Sequence, residues 1–417
     1  MERPMLKDGW APPGTRRGLQ IIAPGIISGA ADTDPTTVAT LAIVGATTIY
    51  GLAWVLVLVF PALAVIQIIS ARVGMCTRRD LQTSVDFRFG RWPRLLLLTS
   101  VFAVTVVTIA ADLEGGAAAL GLLFHANWRW FVIPLAMVLV TLLTIGNYDE
   151  VQQVMRYVLF VFLAYVISAF LAHPDWAQVL HHTVVPRFHF NATYTEGALA
   201  IIGTTLTSYV YVWQTIEEAE ETAPLEWLRA REAGAGIGIL LAVMIFWFIL
   251  VASGGTLGVH HLPVQTADQA AAALKPVAGA AASYIFGIGL LASAVVALPV
   301  LMATCGYIVG AHFDWERGLS KDVRHAPRFY ATVALSMGLG VVISYSGVSP
   351  IRILFISGII GGVATPVGLV FLLLVAADES LMDRWRISGP LLLAGWAVTL
   401  LIGVASVTYV VQQLTSG

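Results

Sequence analysis

Asp32-Thr33-Asp34-Pro35 places two carboxylates and a helix breaker inside a stretch that otherwise reads as apolar. An ionised side chain at bilayer depth costs about 2.5 kcal/mol or more, so acids in such a setting mark a site. Pro35 lacks an amide proton and should interrupt the helix where the acids sit, leaving carbonyl oxygens free beside them. Thr33, Thr36 and Thr37 add hydroxyls. Carboxylates, hydroxyls and bare carbonyls form a hard oxygen donor set, suited to Mg, Ca or Mn ions. On a continuous helix Asp32 and Asp34 would point apart; an unwound segment lets both approach one ion. The alternative is a buried acid paired with a neighbouring helix.

A second polar interruption, Gly203-Thr204-Thr205-Leu206-Thr207-Ser208-Tyr209, breaks another apolar run. Thr204, Thr207, Tyr209 and Gln214 are the candidates for a wall facing Asp34. Singly, each also reads as an ordinary helix-packing residue. Asp112 and Glu114 lie near the middle of a third apolar run, where they line a permeation route, relay protons or form a structural pair. Glu217-Glu218-Ala219-Glu220-Glu221 reads either as a cation-attracting mouth or as a solvated helix end partly neutralised by Arg229 and Arg231. The His181/His182 and His260/His261 pairs have no spacing that closes a metal site.

These residues must be positioned by membrane helices. The chain has 417 residues, 58% of them hydrophobic and only 12% charged, with a formal net charge of -2. That composition indicates an all-α polytopic membrane protein without a soluble domain. Windows of the length needed to cross about 30 Å of hydrocarbon fall at 19–46, 50–73, 94–124, 130–147, 154–172, 195–216, 233–256, 281–311, 328–346, 351–376 and 388–413. The first window lacks the features of a cleavable signal and is expected to remain in the mature protein. Arginine and lysine concentrate on one side of this eleven-span arrangement, around Arg16/Arg17, Arg78/Arg79, Arg229/Arg231 and Arg317/Lys321/Arg324. The positive-inside rule therefore puts the N-terminus in the cytoplasm and the C-terminus outside. Cys76 and Cys305, the only cysteines, make no disulfide framework.

Eleven spans divide as five, five and one: 19–172, 195–376 and 388–413, within a single domain of 1–417. The first and sixth spans then correspond and run in opposite directions, and both are interrupted. Paired interruptions point to the midplane site of an inverted-repeat transporter. No Walker-type glycine loop is present, which argues against a built-in ATP motor. No Ser-His, Cys-His or His-rich group at membrane depth suggests an enzyme.

From Ile22 to Pro366 the chain resembles the NRAMP family of divalent metal transporters. Ala23-Pro24-Gly25-Ile26-Ile27-Ser28-Gly29-Ala30 followed by Asp34-Pro35-Thr36-Thr37 looks like that family's first helix, with its Asp-Pro-Gly-Asn metal motif. The resemblance gives Asp34 the role of metal-binding acid and puts Thr37 at the ligating Asn. It aligns Thr207-Ser208-Tyr209 with Met-Pro-His, Gln214 with a later His, and Gly358 with a Gln of the tenth span. The Thr204 carbonyl falls at a ligand position. Asp112 matches a third-span acid, and Gly115 stands where a second is expected. Gly203-Thr204-Thr205, Tyr209 and Trp213-Gln214 are most similar to the NRAMP-related magnesium transporters, although Thr33 and Ser208 depart from them.

The resemblance implies a LeuT-like core, with the first and sixth spans unwound at the midplane, that carries divalent cations inward by alternating access. Loss of the thioether removes the ligand that selects soft metals. Magnesium keeps its waters and asks for a roomy oxygen cavity, and Thr207 and Gly358 are expected to supply that room. Mg2+ or Mn2+ is thus the expected substrate, with no resident cofactor and no strict proton coupling. The alternatives are proton-coupled Mn2+/Fe2+ symport, sodium-coupled organic-solute symport on the same architecture, and a channel. The expected surroundings are a lipid bilayer, that of a bacterial plasma membrane. No nucleic-acid partner is expected, and the oligomeric state is left open, monomer included.

Overall fold

A computed structural model describes residues 33–145, 162–189, 191–221 and 224–416. Asp32 lies outside them. Among the described residues the structure is all helical, and seven helices are long and apolar enough to cross a membrane. Two shorter apolar helices, Arg129–Thr144 and Phe162–Leu171, fall at the fourth and fifth expected windows, the first of them starting one residue early.

The helices that build the centre are α1 (Pro35–Thr48), α2 (Ala53–Thr77), α3 (Leu81–Phe89) and α4 (Arg91–Phe124). They are followed by α5 (Ala192–Thr205), α6 (Ser208–Glu221), α7 (Leu228–Ser253), α8 (Ala282–His312), α9 (Pro327–Ser344), α10 (Pro350–Ala377) and α11 (Pro390–Ser416). The short α3, capped by the Asp80 carboxylate on the Thr83 amide at 2.7 Å, was not expected from hydropathy, because its sequence is half polar.

α1 begins where the sequence expects a break. Pro35 takes the first helical position, where its missing amide proton is no loss, and Asp34 in extended conformation is the N-cap. α5 ends at Thr205 and α6 starts at Ser208, leaving Leu206 and Thr207 as a two-residue interruption. The Leu206 carbonyl at this interruption accepts the Thr365 hydroxyl of α10 at 2.9 Å.

Glycines set how close the helices come. A Cβ on Gly203 would lie 1.9 Å from the Gly358 carbonyl oxygen and 2.2 Å from the Gly362 nitrogen, so α5 and α10 touch backbone to backbone. Pro366 within α10 cannot donate to the Gly362 carbonyl. That carbonyl accepts the Ser406 hydroxyl of α11 at 3.0 Å instead. At the end of the bundle carrying the basic loops, Arg72 pairs with Glu232 at 2.5 Å, Arg317 with Asp80 at 3.2 Å, and Arg231 with Glu218 at 3.1 Å. Arg231 also pairs with Glu221.

Candidate metal-ion site

The start of α1, the gap between α5 and α6, and the middle of α4 converge. Asp34 is 1% exposed. Its Oδ1 accepts the Thr37 amide at 2.7 Å, the ordinary N-cap bond. Its Oδ2 accepts the Tyr209 hydroxyl from the first turn of α6 at 2.9 Å. The Thr37 and Thr204 hydroxyls lie 2.9 Å apart and join α1 to the last turn of α5. Two hydrogen bonds thus tie the head of α1 to both sides of the interruption.

Asp112 of α4 completes the head of α1. Its Oδ1 accepts the Thr36 hydroxyl at 2.7 Å and the Thr36 amide at 3.2 Å, while its Oδ2 is buried with no hydrogen-bond partner among the described residues. Two carboxylates therefore sit at the positive end of one helix, each holding an otherwise unbonded amide. The Thr33 carbonyl accepts the Ser293 hydroxyl of α8 at 2.6 Å. Thr207, in the interruption itself, is buried, and its hydroxyl has no hydrogen-bond partner among the described residues.

Asp34, Thr36, Thr108, Thr204, Thr207 and Ser357 contribute side chains to a gap of about 160 Å3, floored by Gly203 and Gly358 and too narrow to admit a water molecule. Every polar side-chain atom around it is an oxygen. Asp34, Thr37, Thr204 and Tyr209 form one hydrogen-bonded group, with Thr207 at its edge.

The remaining candidates lie elsewhere. Gln214 is five residues beyond Tyr209, about 7.5 Å further along the helix. Its amide nitrogen donates to Glu218 at 3.1 Å, within the Arg231 network and away from the gap. Glu114 is fully buried and both its carboxylate oxygens lack partners among the described residues. It points about 200° around α4 from Asp112, and it does not line the gap.

Two glycine positions change meaning in three dimensions. Gly358 was expected to supply room in the site; it borders the gap, and a Cβ there would also meet the Ala200 carbonyl at 3.1 Å and the Thr40 hydroxyl at 3.4 Å. The space is used for the approach of α5 to α10. A Cβ on Gly115 would touch Pro35 at 3.0 Å, so the head of α1 packs where a second α4 acid would stand. Thr108 and Ser357, bonded to each other at 3.2 Å, were not singled out from sequence. Thr108 lies four residues before Asp112 and so shares its helix face, which is the signal that could have found it.

A family model described as "Natural resistance-associated macrophage protein-like" matches residues 25–412. The chain belongs to the Nramp family. This Nramp protein is 28% identical over 423 residues to a Deinococcus radiodurans protein named "Divalent metal cation transporter MntH", covering 97% of this chain and 92% of that one. It is 25% identical over 382 residues to a protein of the same name from Caldanaerobacter subterraneus subsp. tengcongensis, covering 89% and 87%. Among solved structures, the Eremococcus coleocola manganese transporter bound to an aromatic bis-isothiourea compound superimposes with a TM-score of 0.72 at 19% identity, over 95% of this chain and 87% of that one. Mhp1, a nucleobase-cation-symport-1 family transporter, gives 0.61 at 13% identity over 95% and 93%. Those two likenesses establish the fold: an integral membrane helical bundle shared by transporters of different substrates.

Proposed function

We propose that this Nramp protein carries divalent metal cations into the cytoplasm by alternating access, with Mg2+ and Mn2+ as substrates and the membrane potential as driving force. The observation that carries the reading is the all-oxygen group of Asp34, Thr37, Thr204, Thr207 and Tyr209 where the head of α1 meets the α5/α6 interruption. The names of the curated relatives support divalent cations as the substrate class. Eleven spans in a 5+5+1 inverted repeat, with the first and sixth unwound around the site and the N-terminus cytoplasmic, complete the picture.

In the closed state Asp34 is held by Thr37 and Tyr209. An arriving cation takes over the carboxylate, the Thr37–Thr204 contact opens, and the hydroxyls and the Thr204 carbonyl turn to the ion directly or through its waters. Without a thioether or imidazole, the group offers no preference for soft metals. The closed gap must widen to take a hydrated ion. The Leu206–Thr207 interruption between α5 and α6 serves as the hinge in this reading. Asp112 and Glu114 belong to the permeation route in this reading.

Uptake of magnesium, manganese and calcium into proteoliposomes, with internal pH recorded at the same time, tests the proposal. Magnesium or manganese entry without internal acidification is expected. A second reading, proton-coupled Mn2+/Fe2+ symport, is favoured by one observation: the unpartnered, buried Oδ2 of Asp112 next to the site. Internal acidification that tracks metal entry decides for it.

A further inference from the structure

An open groove of about 290 Å3 runs between α2, α5 and α11. Its walls are mostly aliphatic, with Leu58 and Ala62 from α2, Ala198 and Leu206 from α5 and its end, and Leu401 and Ala405 from α11, beside the hydroxyls of Thr195 and Thr408. One rim is different: Arg187, in the connection before α5, together with Trp54 and Tyr194. Arg187 is exposed, its guanidinium lies 3.1 Å from the His181 imidazole, and among the described residues it has no carboxylate partner. The acid nearest in sequence on α5, Glu196, accepts from Gln413 at 2.9 Å and does not line the groove.

We infer that this groove is a binding site for one anionic glycerophospholipid, with one of its two acyl chains between α2, α5 and α11 and its phosphate on Arg187. Three features commit it to that occupant. The walls offer almost nothing to a polar ligand. Tryptophan and tyrosine at the rim are the residues that sit at the membrane–water boundary, which places Arg187 at headgroup level. From Tyr194 to Leu206 the rise is about 18 Å, close to the roughly 15 Å depth of one leaflet of the hydrocarbon core. A single acyl chain seated from the rim therefore ends against Leu206, whose carbonyl is held by Thr365 at the interruption of the α5/α6 pair. The lipid would touch the part of the molecule that the proposed function requires to move, although its binding does not depend on that function.

Native mass spectrometry of the full chain tests the site after reconstitution into bilayers of phosphatidylcholine and phosphatidylglycerol and extraction in mild detergent. The protein is expected to retain one phosphatidylglycerol in preference to phosphatidylcholine. Arg187→Ala should lower that retention about fivefold, the effect of one arginine at a lipid headgroup, and Arg187→Lys should restore most of it. Ala405→Trp should fill the groove and displace either lipid. Arg187 is exposed and lies outside the helices, so its removal leaves the bundle intact. Equal retention of the two lipids by the unaltered protein, or unchanged retention in Arg187→Ala, overturns the inference.

Discussion

Asp34 does two jobs that can be separated. Its carboxylate caps α1 through the Thr37 amide, and it supplies the negative charge of the oxygen group. Asparagine caps a helix about as well as aspartate, whereas alanine costs about 1 kcal/mol. Asp34→Asn should therefore keep the melting temperature close to that of the unaltered protein while abolishing divalent uptake in proteoliposomes. Asp34→Ala should lose uptake and melt earlier as well; normal magnesium flux in either variant would remove Asp34 from the site. Thr207 tests selectivity, because its hydroxyl is buried without a partner at the edge of the gap. Thr207→Met brings a thioether to that edge and should raise manganese over magnesium uptake in direct competition. An unchanged ratio would mean that this position does not set preference.

At the level of helices, backbone contact between α5 and α10 fixes the geometry around the site. The collision expected for Gly203→Ala is with the carbonyl and amide of α10, which cannot swing aside as a side chain can. That variant should express poorly or melt several degrees lower. Gly338→Ala in α9 is the control: a Cβ there meets nothing within 4 Å among the described residues, and replacing a helical glycine by alanine should stabilise by about 0.5–1 kcal/mol. The α10/α11 contact offers a sharper test. Ser406 serves a carbonyl that Pro366 leaves unpaired, so Ser406→Ala should cost about 0.6 kcal/mol, the mean for a hydrogen bond between membrane helices. In a Pro366→Ala background the amide of residue 366 takes that carbonyl, and the same serine change should cost nothing. Equal losses in both backgrounds, measured by thermal unfolding in detergent, would refute the link.

For the whole molecule, a divalent ion moved across 100 mV releases roughly 4.6 kcal/mol, twice the single-charge value. Under the uniport reading, an inside-negative potential alone should accelerate uptake, and dissipating it should slow uptake whatever the pH gradient. Much of this was legible in the sequence. Apolar windows anticipated the seven long helices seen among the described residues, since burial of a backbone in lipid leaves few alternatives to helix. Pro35 announced where a helix starts, and the polar Gly203–Tyr209 run announced the interruption at Leu206–Thr207, because both put polar atoms where hydrocarbon should be. Local pattern fails where distance along the chain is large. That Gln214 turns to Glu218 and Arg231, that Gly358 lets α5 approach α10 as well as bordering the gap, and that Gly115 yields to Pro35 all depend on which helix faces which. The sequence by itself determined that a membrane bundle holds carboxylates and hydroxyls at helix ends, because hydropathy and proline act locally. Only the tertiary structure decided which of those oxygens meet, because backbone approach between helices distant in sequence, set by glycines on both sides, selects the register in which Asp34 finds Tyr209 and Thr37 finds Thr204.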